Sequence, residues 1–112
     1  MTTRPAVNLS LSKLRKEIKK IDPFRVSLSG SKIVTFPDVY AMESVEAEEI
    51  FSGLNRNSTS WGVLSKWLST ADADKLKAEK LSVRELSAVV QAAIAYYEES
   101  YGDEGNGNAS ES

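Results

Sequence analysis

Leu81 to Tyr101 reads LSVRELSAVVQAAIAYYEESY, and its spacing predicts the best-formed helix of the chain. Ser82 and Glu85 make a capping box, in which the hydroxyl takes one free backbone N–H and the carboxylate reaches back for another. Leu81 and Leu86 flank the box at the spacing of a hydrophobic staple. At about 100° per residue, Val83, Leu86, Val89, Val90, Ala93, Ile94, Tyr97 and Tyr101 fall within one broad arc, the expected buried face. The other side carries no charge in its middle, where Ala88, Gln91, Ala92 and Ala95 stand. A helix so apolar on two sides is either central to a core or packed on a partner.

Working back from this helix, Trp61, Leu64, Trp67 and Leu68 share one side of a preceding helix, and the plain expectation for both tryptophans is core. The sharper one is an aromatic anchor for another chain. Between the two helices, Thr70 to Lys80 reads as a short charged helix or linker with little to bury except Leu76. Asn55 to Ser60 is a loop. Ahead of it, Ser44 is the expected cap of an acidic helix, Val45 to Leu54. Glu46, Glu48 and Glu49 lie at its start, where the helix dipole favours them, and Ile50, Phe51 and Leu54 are its apolar side. Asp38 is placed to cap a turn through Val39, Tyr40 and Met42.

The period changes between Pro23 and Phe36. Phe24, Val26 and Leu28 alternate with polar residues, then come Ile33 to Phe36, with Ser29-Gly30-Ser31 as the turn and Gly30 free to take a positive φ. A three-residue loop sets Val26 opposite Val34 and Phe24 opposite Phe36. A two-stranded hairpin is marginal alone, so this apolar face should lie on the helices. Further upstream, Leu11, Leu14, Ile18 and Ile21 form the seam of an amphipathic helix capped by Ser10 and ended before Pro23. Its exposed side is nearly all basic, so it needs packing or an acidic surface to hold it.

The expected architecture is therefore mainly α (α+β), a single helical domain over 9–101 with its hairpin at 23–36. Residues 1–8 are expected to be flexible. From Gly102 the sequence turns to GDEGNGNASES, whose composition predicts a disordered tail over 102–112.

Composition narrows the function. The chain has 112 residues, no cysteine and no histidine. The commonest general base and metal ligand is thus absent, and neither a hydrolytic triad nor a structural zinc site is expected. Asp72-Ala-Asp74 opens like a calcium loop but lacks the glycine and terminal glutamate. Pairs such as Glu48/Glu49 and Glu98/Glu99 are adjacent on helices and point apart, unsuited to shared acid–base work. We expect no catalytic site, no cofactor and no metal, hence a non-enzyme. There is no apolar run long enough to span a membrane and no signal-peptide core, so a cytoplasmic protein is expected.

The net charge of −2 hides a polarity. Residues 1–37 carry eight Lys/Arg against two acids, and the rest carries six against fourteen. Such a chain can associate head to tail, or meet an acidic partner with its basic end. Lys13, Arg15, Lys16, Lys19 and Lys20 make a basic patch able to meet phosphates, with Phe24 available to stack on a base. Against a nucleic-acid partner, the chain as a whole is acidic and shows no recognition helix.

The order of elements (a basic lead-in, the hairpin PFRVSLSGSKIVTFPD, an acidic helix, the helix SWGVLSKWL and a closing helix ending AIAYYEESYG) resembles the tail assembly chaperones of long-tailed bacteriophages with non-contractile tails. The likeness covers roughly residues 21–102 and lies in spacing and order rather than in one motif. It implies a non-catalytic protein of the host cytoplasm, absent from the finished virion, which binds the tape-measure protein and recruits tail-tube subunits. Family members often have a longer form made by ribosomal frameshift, for which the Gly/Asn/Ser tail would suit as linker. A tape-measure protein is a long helical chain with apolar stripes, and covering it takes a helix-binding surface in many copies. Ala88, Ala92 and Ala95, with Tyr96 beside them, are the expected contact surface. The competing expectation is that the N-terminal helix covers them. Another small phage or bacterial protein-binding adaptor, and a nucleic-acid-binding protein using the basic patch, are the alternatives; self-association is a further expectation.

Overall fold

The computed structural model describes residues 7–18, 20–57 and 59–110, with 102–110 as helix backbone. Five helices and one antiparallel pair of strands follow in the order α1 (Leu11–Glu17), β1 (Phe24–Ser27), β2 (Ile33–Phe36), α2 (Ser44–Arg56), α3 (Trp61–Trp67), α4 (Thr70–Ala78) and α5 (Val83–Ser110). The fold is mainly α with one N-terminal hairpin, as the periodicity predicts.

The hairpin pairs Phe24 with Phe36 and Val26 with Val34, the expected register. Gly30 turns the chain at φ +66°, a conformation that costs glycine nothing. Ser31 follows at φ +65°, and the turn is tied to the end of α4, where Glu79 accepts from the Ser29 hydroxyl at 2.7 Å. Val34 and Phe36 are fully buried on the helices, with Phe24 and Val26 packed beside them. Tyr97 of α5 locks this face in place. Its hydroxyl accepts from the Phe24 N–H at 2.7 Å and donates to the Phe36 carbonyl, so one oxygen ties both strands to the helix.

The core below the hairpin takes Ala47, Ile50 and Leu54 from α2, Leu64 and Trp67 from α3, and Ala73 and Leu76 from α4. Trp67 is 2% exposed and fits the core expectation. Trp61 is half-buried at the edge, with the Lys77 ammonium 5.4 Å from its ring centre. Thr70 to Ala78 is a true helix, capped by Ser69, whose hydroxyl accepts from Asp72 N–H at 3.1 Å. Asp72 in turn accepts from Thr35 N–H at 3.0 Å and so binds α4 to β2.

Helices α2 and α3 meet where α2 has a glycine. A Cβ built on Gly53 would stand 2.4 Å from Cγ2 of Val63, closer than van der Waals contact permits. Gly53→Ala is therefore expected to destabilise by about 1–3 kcal/mol, although alanine is the better helix former. Adding Val63→Ala should recover most of that loss, as read by urea denaturation.

Three expectations need correction. The cap of α2 is Glu43 rather than Ser44, because the longer carboxylate reaches both Val45 N–H (2.5 Å) and Glu46 N–H (3.2 Å). Helix α1 ends at Glu17 and buries none of its residues, with Leu11 and Ile18 more than half exposed. The Ser10 hydroxyl meets Ser12, not a backbone N–H. Seven residues with crowded positive charge are too few to sustain a helix as far as Pro23. On α5, burial is narrower than the predicted arc. It follows Leu86, Val90, Ala93 and Tyr97, at alternating steps of four and three, while Val83 and Tyr101 are 73% and 57% exposed. Val83 opens the helix ahead of its first buried residue, Leu86, while Tyr101, past the last, stacks its ring on that of Tyr40 at 4.5 Å between ring centres. Residues 1–6, 111 and 112 of the two expected flexible ends lie outside the described residues.

Candidate interaction surface

The side of α5 away from the core is open. The capping box that starts this helix forms in full: Ser82 N–H donates to Glu85 at 2.8 Å, and Glu85 N–H donates to the Ser82 hydroxyl at 3.1 Å. The Ser82 backbone N–H, and after it the Ser82 hydroxyl, hold the Glu85 carboxyl below its ordinary value. From this fixed start, Ala88, Gln91, Ala92 and Ala95 come round to the outer side, and all four are exposed. Arg84 and Glu85 bound this uncharged stretch at one end, and Glu98 and Glu99 at the other. Over the seven residue steps from Ala88 to Ala95 it runs about 10 Å along the helix. Small side chains there let another helix come close. Helix α1 does not cover them.

Tyr96, expected to belong to this surface, is placed differently. It is half-buried, its hydroxyl donates to the Asp22 carbonyl at 2.8 Å, and its ring lies 5.3 Å from that of Phe24. Its work is to hold the entry to β1. The alanines form one surface, and the tyrosine stands at its margin. Beside them a shallow groove of about 550 Å³ opens between α5 and the end of α2, floored by Leu54, Val83 and Ile94. Sequence reasoning missed this groove by assigning Val83 to the core. Only the absence of anything beyond the capping box to cover Val83 could have signalled it.

The basic patch is also on the outside. Lys13, Arg15, Lys16 and Lys20 are exposed, while Lys19 lies outside the described residues. Phe24, the candidate for stacking on a base, is packed between Phe36 and Tyr96 at 6.2 and 5.3 Å between ring centres. It is committed to the hairpin.

Among the described residues, no three acidic side chains gather closely enough to hold a metal ion, and no charged side chain is buried. Tyr97 and Tyr40 are pushed above 10 chiefly by burial, and Glu85 is drawn below 4.5. All three shifts lead away from neutrality. Among the described residues no helix is long and apolar enough to cross a membrane. No protein-family model, curated protein or solved structure matches this chain.

Proposed function

We propose that this protein is a non-catalytic tail assembly chaperone of a long-tailed bacteriophage. It works in the host cytoplasm, where it binds the tape-measure protein and brings tail-tube subunits to it. The observation that carries the reading is the open, uncharged side of α5 at Ala88, Ala92 and Ala95. A rigid helix held by a buried stripe on one side and free on the other is suited to receive the apolar stripe of a long helical partner. The resemblance in element order supplies the identity of that partner.

The test is co-expression with the tape-measure protein of such a phage, a very long helical chain. Alone, that protein should aggregate; with this chain it should remain in the supernatant and co-purify. The exposed basic segment favours one other reading, a phosphate-bearing nucleic acid bound through Lys13, Arg15, Lys16, Lys19 and Lys20. A salt titration of DNA binding separates the two, since each phosphate contact adds about 0.9 to the slope of log affinity against log salt. A flat or absent response is expected.

A further inference from the structure

The segment from Val7 to Ile18 carries apolar side chains that its own chain leaves uncovered. Val7, Leu9, Leu11 and Ile18 are 78%, 67%, 57% and 55% exposed. The only depression described beside them is lined by residues of this same segment, from Val7 to Glu17. Lys13, Arg15, Lys16 and Lys20 are interspersed, with Glu17 as the single opposing charge. A short basic helix with uncovered apolar residues is complementary to a groove with an apolar floor and an acidic rim.

The body has such a groove between α2 and α3. Two adjoining depressions, of about 380 and 250 Å³, share Glu49 and Lys66. Val45, 61% exposed, and Met42 form the apolar part. Glu46, Glu48 and Glu49 form the rim. Two cations also line it, but Lys66 is already paired with Glu49 at 3.8 Å, which leaves Arg56 facing the remaining carboxylates. Glu43 adds a fourth carboxylate at the head of the same helix.

We propose that the N-terminal segment of one copy docks in the α2–α3 groove of a second copy of this chain. The charge polarity of the sequence matches this pairing: a basic first third is presented to an acidic remainder. Within one chain the segment lies off the body, so its apolar residues and the groove are both left for another molecule. Reciprocal exchange of segments closes at two copies, while one-way docking continues into longer chains. Either arrangement buries the same two surfaces. The pairing does not depend on the tail-chaperone reading and can fail or hold without it.

The test is the mass of the full chain in solution, by light scattering across a wide range of concentration and salt. The parent should exceed the 12.3 kDa monomer, with association weakened about tenfold or more in high salt as the charge pairs are screened. Leu11→Glu/Ile18→Glu removes the segment's apolar contacts, and Val45→Lys/Glu49→Lys removes those of the groove. All four side chains are more than half exposed, so the melt of each variant should match the parent. Should Val45→Lys/Glu49→Lys melt early, Glu48→Lys replaces it. Each variant alone should stay at monomer mass. Mixed together they should form a one-to-one pair, because one keeps a working groove and the other a working segment. A parent that is monomeric throughout overturns the proposal, whether or not it binds DNA. So does a mass that neither variant changes, or a failure of the two variants to combine.

Discussion

Trp67→Ala should unfold much of the population, at a cost of about 3–5 kcal/mol, a large share of the 5–15 kcal/mol by which a domain of this size is stable. Trp67 is 2% exposed, meets the Phe36 ring edge-on at 5.1 Å, and donates its indole N–H to the Pro37 carbonyl at 2.8 Å. It thus joins α3 to β2 and to the turn that leads into α2. Truncation empties this junction. Trp67→Phe separates the two contributions, since it keeps an aromatic ring but leaves Pro37 without its donor. We expect the smaller loss of about 1–3 kcal/mol for that unsatisfied carbonyl. Urea denaturation of the three proteins, followed by circular dichroism, reads both values.

Removing a single oxygen should do nearly as much harm. Tyr97→Phe keeps the ring but takes away the acceptor for Phe24 N–H and the donor for the Phe36 carbonyl. Each group left unsatisfied costs about 1–3 kcal/mol. The effect has a pH signature. Burial raises the Tyr97 phenol above 10, with the Phe24 bond opposing, Asp38 and Tyr96 raising it further, and Arg25 opposing. A group whose folded pKa is raised contributes stability that is complete below its unfolded pKa and is lost as pH rises through the folded value. Ionisation would also abolish the bond to Phe36, since a phenolate has no proton to donate. The parent should therefore weaken above pH 10 more steeply than Tyr97→Phe, and the gap between them should narrow. Tyr40, also raised by burial and by Glu98, is present in both proteins and cancels in the comparison.

The most local features were the most legible. A capping box, a hairpin register and a glycine at positive φ each depend on a few neighbouring residues, and Ser82/Glu85, Phe24/Phe36 and Gly30 are all found where spacing places them. Features that depend on the length of one element against another were not legible. Helical pitch alone places Val83 on the apolar arc, but whether anything stands over it depends on where the body stops. Likewise, the seam of Leu11, Leu14 and Ile18 is a good seam, yet nothing in its spacing reveals that its own chain has no place for it. The uncharged side of α5 was visible as Ala88, Ala92 and Ala95. That it stays open, and that the Tyr96 hydroxyl is occupied by a carbonyl 74 residues away, emerged only in three dimensions.

The close approach at Gly53 was invisible for the same reason. A glycine inside a helix reads only as a weak point until the neighbouring Val63 is placed against it.

The central claim is that the open side of α5 receives another polypeptide, and a charge set in its middle tests it most directly. Ala92→Glu should be compared with the parent for its thermal melt and for its binding to a tape-measure protein. The account predicts an unchanged melt, since position 92 faces outward, and binding weakened about tenfold or more, as expected when an unpaired charge is forced into a helix–helix contact. Equal binding by the two proteins, or loss of folding in an Ala92→Glu monomer, would contradict it.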